Sequence, residues 1–126
     1  VSNDPTKAST IVMKYMQKYG YKVYPVNPKA KGQKILGEKV FEKITDIGDP
    51  VDIVDVFRPS EEALDIAKDT INIGAKVLWL QLGIKSKKAK EIVEVNKIEY
   101  VEDRCTKMEY QKHFLKVRQA FPVLQN

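Results

Sequence analysis

Residues 51–83 read VDIVDVFRPSEEALDIAKDTINIGAKVLWLQLG, and the order of apolar runs, caps and turns within them decides the fold. Val51 to Phe57 is a β-branched run of strand length. Arg58-Pro59 ends it, because proline brings no amide hydrogen to a ladder. Ser60 can cap the segment that follows, and Glu61 and Glu62 suit the positive end of a helix. Ala63, Ile66, Ala67, Thr70 and Ile71 then recur at helical spacing up to Gly74. Residues 76–81 form a second strand, which closes in the turn Leu82-Gly83. A strand, a helix and a strand in that length make a βαβ unit, whose strands run parallel.

The same alternation continues outward. Downstream, Ser86 can cap a helix through Val95, residues 98–102 read as a strand, and residues 108–121 look helical until Pro122. Upstream, Ile11, Val12, Tyr15, Met16 and Tyr19 predict a helix over 6–20, capped by Ser9 or Thr10 and ended by Gly20. Residues 21–26 predict a strand that stops at Asn27-Pro28. Residues 29–37 read as loop and 38–44 as a short helix leading into the turn at 46–50. Strands alternating with helices imply right-handed βαβ units and a mostly parallel sheet, the pattern of a Rossmann-like three-layer α/β domain. Such domains open with a strand and a glycine turn before the first helix, whereas this sequence starts at a polar loop. A first strand upstream of Val1 is therefore expected.

Composition narrows the classes. A chain of 126 residues, 43% of them hydrophobic, suits one domain spanning 1–126 with its own core. No apolar run approaches the roughly 20 residues that cross a bilayer, and Val1-Ser-Asn-Asp-Pro has no signal-peptide character. A cytoplasmic protein without a membrane partner is expected. One cysteine and one histidine leave no internal disulfide and no cluster of soft metal ligands. A net charge of +5 favours an anionic partner. Lys85, Lys87, Lys88 and Lys90 form the densest basic patch, but aromatics are not interleaved with it as single-strand nucleic-acid binding requires, and a solvated helix face is the plainer reading.

In an open α/β sheet, ligands bind in the crevice beyond the carboxyl ends of the strands. The strand tips therefore nominate the site: Val26, Asn27, Pro28 and Lys29 after one run, Phe57, Arg58 and Pro59 after the next, then Gln81 and Gly83, then Arg104 and Cys105. At the amino end, Ser2 and Lys7 flank a polar loop before a helix, a suitable place for a phosphate. No complete glycine fingerprint or Walker motif is present. Dinucleotide-binding domains place an acid on the ribose hydroxyls at the second strand's tip. Asn27-Pro28-Lys29 puts a neutral amide and a lysine there instead, which fits a ribose carrying an additional phosphate. A turn that merely tolerates asparagine and proline is the alternative.

Other residues have plainer readings. Arg58 is as readily a surface salt bridge as a ligand contact, and Trp79 is core rather than a stacking platform. Asp52 suits a strand entrance, while Asp55 lies inside a buried strand and needs partners, backbone or hydroxyl before any catalytic role. Cys105 reads as a small buried hydrophobe, although a thiol-active enzyme using it stays open. His113 falls in the last helix, where a surface position is expected.

With Pro25-Val-Asn-Pro28, Val56-Phe-Arg-Pro59, Trp79-Leu-Gln-Leu-Gly83 and Asp103-Arg-Cys105 in that order, the chain resembles the small stand-alone CoA-binding proteins. These are related to the CoA-binding domain of the succinyl-CoA synthetase alpha subunit. The resemblance covers nearly the whole chain and implies a Rossmann-like fold that binds coenzyme A or acyl-CoA. It implies no reaction. By position, Ser2 and Lys7 match the family's phosphate loop, Asn27 and Pro28 its adenosine-side turn, and Arg58 and Pro59 the turn across the cofactor. Gln81, Gly83, Arg104 and Cys105 match the remaining edge. A CoA-linked enzyme is the competing reading, nucleic acid is the least favoured partner, and a homo-oligomer stays open.

Overall fold

The computed structural model describes residues 7–30 and 32–110. Strands β3 (Ile53–Val56), β4 (Val77–Leu80) and β5 (Glu99–Val101) form a parallel sheet in that order, after a two-stranded antiparallel sheet of β1 (Lys34–Ile35) and β2 (Glu38–Lys39). Helix α2 (Ala63–Asn72) joins β3 to β4, α3 (Lys87–Val95) joins β4 to β5, and α1 (Ala8–Lys18) and α4 (Thr106–Tyr110) precede and follow them.

Alternation along the strands creates two faces. Val54, Val56, Leu78 and Leu80 share one core with Ala63 and Ala67 of α2 and Ala89 and Val93 of α3. The alanines are fully buried, and their small side chains let both helices approach the sheet closely. Thr70 sits on that face without cost because its hydroxyl donates to the Ile66 carbonyl at 2.7 Å. The opposite face carries Asp55, Trp79 and Val101, which stand opposite one another in the β3–β4–β5 register. The start of α4 covers that face through Thr106, which bonds Asp55. Helix α4 packs with α1, where Tyr15 and Tyr19 meet Tyr110 at ring-centroid distances of 6.0 and 5.2 Å. Helices on both faces of a parallel sheet make this a Rossmann-like α/β fold.

Strands β3 to β5 and helices α2 and α3 fall where their sequence patterns predict them. Ser86 caps α3, its Oγ accepting from the Ala89 amide at 3.1 Å. Other expectations are corrected. Residues 21–26 form no ladder among the described residues. Val26 makes an isolated parallel bridge to Phe41, fixed by the Asn27 amide on the Phe41 carbonyl and the Phe41 amide on the Pro25 carbonyl, both at 2.9 Å. A ladder needs a second strand alongside, and Pro25 removes a donor from the segment.

Residues 38–44 are not a helix. Leu36 (φ 50°) and Gly37 (φ 81°) are two successive left-handed positions, the backbone of a tight hairpin turn, and they fold Glu38–Lys39 back onto Lys34–Ile35. A short 3₁₀ turn, Ile44–Asp46, follows. Neither Ser9 nor Thr10 caps α1. Lys7 holds the cap position, and both hydroxyl residues are buried within the helix beside Val12 and Met13, while Ile11 is exposed. Ser60 likewise lies inside a 3₁₀ turn, Ser60–Glu62, and its Oγ accepts from the Lys85 amide at 3.1 Å. Helix α4 begins at Thr106, two residues before the predicted start; His113 and the other residues after 110 in the predicted segment lie outside the described residues.

The packing of the larger core predicts a contrast. Leu78→Ala, at a fully buried site, should cost about 2–5 kcal/mol in urea unfolding. Val95→Ala, at a side chain 83% exposed, should change stability by only about 0.5 kcal/mol.

Candidate functional site

Beyond the carboxyl end of β3, a cleft of about 440 Å³ is lined by Lys7, Ala8, Ser9, Val26, Asn27, Pro28, Lys29, Phe57 and Arg58. Three separate chain segments meet here: the start of α1, the turn after Val26 and the tip of β3. Asn27 shapes the second of these, because its Oδ1 accepts from the Lys29 amide at 3.0 Å and its carbonyl accepts from the Ala30 amide at 3.1 Å. This closes the 3₁₀ turn Pro28–Ala30 and aims the backbone of Lys29 toward the cleft's rim. Lys7, Lys29 and Arg58 give the lining three exposed cations and no carboxylate among the described residues. Arg58 is held from outside: its Nε and one terminal nitrogen donate to Glu62 Oε1 at 3.2 and 3.1 Å.

Six of the residues nominated at the strand tips thus share one cleft, Val26, Asn27, Pro28, Lys29, Phe57 and Arg58, together with Lys7 of the amino-end loop. Pro59 is exposed just beyond it, and Ser2 lies outside the described residues. The tips of β4 and β5 behave differently. Gln81 is buried, turned to the Asp55 face of the sheet, and it donates to Asp55 Oδ1 and to Thr106 Oγ1, the latter at 2.9 Å. Its side chain supports the rim from below. Gly83, at φ 81°, takes a turn conformation that suits glycine, and its amide donates to Asp103 Oδ1 at 2.7 Å. Arg104 faces a second cleft of about 400 Å³, with Lys90, Glu94, Tyr100, Val101 and Glu102, and donates to Glu109 Oε1 at 3.3 Å. Cys105 is half-buried, its thiol not in a disulfide.

Residues without a motif of their own tie these tips together. Asp103, at φ 55°, clamps the Gly83 amide and lies 3.7 Å from Lys85 Nζ. Trp79 Nε1 donates to the Arg104 carbonyl at 2.7 Å, so this side chain is a strut rather than plain core. Ser60 fastens Lys85, linking the β3 tip to the loop after β4. A strand-end Asp followed by Arg and Cys was the only hint of such a clamp. Ala8 and Ser9, which line the cleft through the first turn of α1, carried no signal beyond their place in that helix.

Asp55 is the perturbed carboxyl of this region. Burial pushes its carboxyl from 3.8 up to about 6, opposed by the hydrogen bonds from Gln81 and Thr106. Among the described residues, no group of three or more His, Cys, Asp and Glu could hold a metal ion, and no helix is long and apolar enough to cross a membrane.

A cationic cleft beyond the carboxyl end of β3, beside an asparagine turn, lies where domains of the Rossmann-like class hold their ligands. Residues 1–111 match the CoA binding domain family, to which the chain belongs. It is 33% identical over 108 residues to the uncharacterized protein YneT of Bacillus subtilis, covering 86% of this chain and 78% of that protein. A hypothetical protein from Pyrococcus horikoshii has the same fold with a TM-score of 0.85 and 33% identity, over 89% of this chain and 78% of that one. A dinucleotide-forming acetyl-coenzyme A synthetase of Ca. Korarchaeum cryptofilum shares the fold over 79% of this chain and 24% of its own, with a TM-score of 0.65 and 23% identity.

Asp55 predicts a pH dependence of stability. Its proton is held more tightly in the folded chain than in the unfolded one between pH 3.8 and about 6. Its contribution is therefore fully present below the unfolded value and is lost as pH rises through the folded one. Urea unfolding of the wild type and Asp55→Asn should show the wild type losing stability relative to the variant across that interval. A constant difference would contradict the assignment.

Proposed function

We propose that this protein binds coenzyme A or acyl-CoA in the crevice at the carboxyl ends of its parallel strands and holds it without transforming it. The observation that carries the reading is the cleft of about 440 Å³ in which Lys7, Lys29 and Arg58 converge around the Asn27 turn, in a chain of the CoA binding domain family. CoA is polyanionic, with a pyrophosphate and a further phosphate at two positions of its adenosine ribose. Two of the cations flank the start of α1 and the tip of β3, where the pyrophosphate is best served by Lys7 and Arg58. Lys29, beside the neutral amide of Asn27, suits the ribose phosphate. Val26, Pro28 and Phe57 supply apolar surface for the adenine.

Arg58 meets its ligand by exchange. Glu62 occupies the guanidinium, with both groups about half exposed (54% and 45%). An exposed i,i+4 pair of this kind is worth only a few tenths of a kcal/mol, so a phosphate can displace it. The cleft offers cations, an amide and apolar side chains, a set that holds an anion and a heterocycle. Protein in the cytoplasm, as a single domain binding a small molecule, is the setting this reading assumes.

Isothermal titration calorimetry of the full chain with CoA tests the reading. Saturable binding is expected, and no heat at millimolar CoA would refute it. Lys7→Ala and Arg58→Ala should each weaken binding by an amount near the lower end of the about 1.5–3 kcal/mol typical of charged hydrogen bonds, because both side chains are exposed. Lys29→Ala should reduce the preference for CoA over 3′-dephospho-CoA, and an unchanged preference would remove Lys29 from the ribose-phosphate contact.

A further inference from the structure

Asp55 is a carboxylate for which the proposed ligand contacts have no use, set on a sheet face where Gln81 and Thr106 both donate to it. Gln81 Nε2 donates one hydrogen to Asp55 Oδ1 and directs the other to Thr106 Oγ1 at 2.9 Å, while the Thr106 hydroxyl donates to Asp55 Oδ2 at 2.9 Å. Ionised, Asp55 is acceptor-only and both bonds to it are charge-assisted. A proton on Oδ2 reverses the Thr106 bond, turning that hydroxyl's own hydrogen away, and a proton on either oxygen leaves the Gln81 bond without its charge.

Both residues are roots of the rim. The Gln81 carbonyl accepts from the Ile84 amide at 3.0 Å, closing the turn that carries Gly83. Thr106 opens α4 directly after Arg104 and Cys105, and Trp79 holds the Arg104 carbonyl from the strand beside Asp55. Charges on the surrounding elements are engaged elsewhere. Asp52, at the far end of the β3 strand, pairs with Lys76; Lys85, after β4, pairs with Asp103; Arg104 pairs with Glu109; and Lys107 of α4 lies over the Tyr15 ring at 5.3 Å.

We propose that Asp55 is a positioning residue for the crevice: its ionised carboxylate holds Gln81 and Thr106 so that the Gly83 and Arg104-Cys105 side of the rim is ordered for ligand, and its protonation releases that side. The inference takes its ligand from the CoA reading above. Since burial lifts the Asp55 carboxyl to about 6, release falls in the mildly acidic range. Global stability has the opposite sign, because protonation relieves a buried charge. A side chain that only stabilised the fold would not separate the two.

Trp79, the single tryptophan, reports on the rim through its bond to Arg104. In the full chain without ligand, its emission is expected to change with a midpoint near pH 6. Asp55→Asn should lack that transition, and Thr106→Val should move it to higher pH by removing a hydrogen bond that favours the ionised form. His113 is common to all three proteins, so its titration cancels in the comparison. With CoA as the titrant, wild-type affinity should fall about tenfold more than that of Asp55→Asn between about pH 7.5 and about pH 5, the competition expected of one proton binding near pH 6. The ionisation of CoA itself is shared by both proteins. An identical emission transition in Asp55→Asn, or an identical pH dependence of affinity, overturns the proposal. If Asp55→Asn fails to fold, an unmoved midpoint in Thr106→Val overturns it. A wild type that leaves CoA unbound at about pH 7.5 refutes the CoA reading instead, and the emission titration still decides whether Asp55 orders the rim.

Discussion

A carboxylate on the face of a parallel sheet must find donors, and the donors Asp55 finds determine how the ligand end of this molecule is built. An ionised side chain left bare there would cost several kcal/mol. Gln81 and Thr106 offset part of that cost by reaching it from the tip of β4 and the first turn of α4. Once those two are fixed, the segments attached to them are fixed as well: the Gly83 turn on Asp103, the Arg104 carbonyl on Trp79 and the Lys85 amide on Ser60. Three strand ends that share no covalent neighbour become one rim.

The two halves of the rim differ in character. Around Asn27 and the tip of β3 the surface is cationic and open, with side chains long enough to follow a flexible anion. Around β4 and β5 it is tied by short hydrogen bonds and by ion pairs whose partners are already chosen. Such a division suits a large cofactor whose phosphates are gathered at one side while the other side sets shape. The proposed exchange of Glu62 for phosphate at Arg58 would make that contact sensitive to ionic strength, as expected for exposed charges.

The βαβ core was legible in the sequence because its signals are local. Val51-Asp-Ile-Val, the alanine-spaced face of α2 and the Ser86 cap each state their structure within a few residues. The first half of the cleft was legible for the same reason, since Asn27-Pro28-Lys29 and Phe57-Arg58 both follow apolar runs directly. What escaped notice depends on partners distant in the chain. Residues 21–26 have strand composition but form a single β-bridge, Val26 to Phe41, among the described residues. The hairpin at Leu36-Gly37 puts a leucine in a left-handed conformation that propensity disfavours. Gln81 looked like a ligand amide until the alternation of β4 turned it toward Asp55, and Arg104 shares a tip with the others yet opens on a different cleft.

The central claim is spatial: a polyanionic cofactor lies against Lys7, the Asn27–Lys29 turn and Arg58, with the Gln81–Asp55–Thr106 ring beneath the neighbouring rim. A crystal structure of the full chain grown with CoA tests it most directly. The account predicts the adenosine beside Asn27 and Lys29, the pyrophosphate between Lys7 and Arg58, and the Arg58 guanidinium released from Glu62. Density for CoA on the lysine face of α3 or in the cleft lined by Lys90 and Arg104, with the Asn27 turn bare, would contradict it.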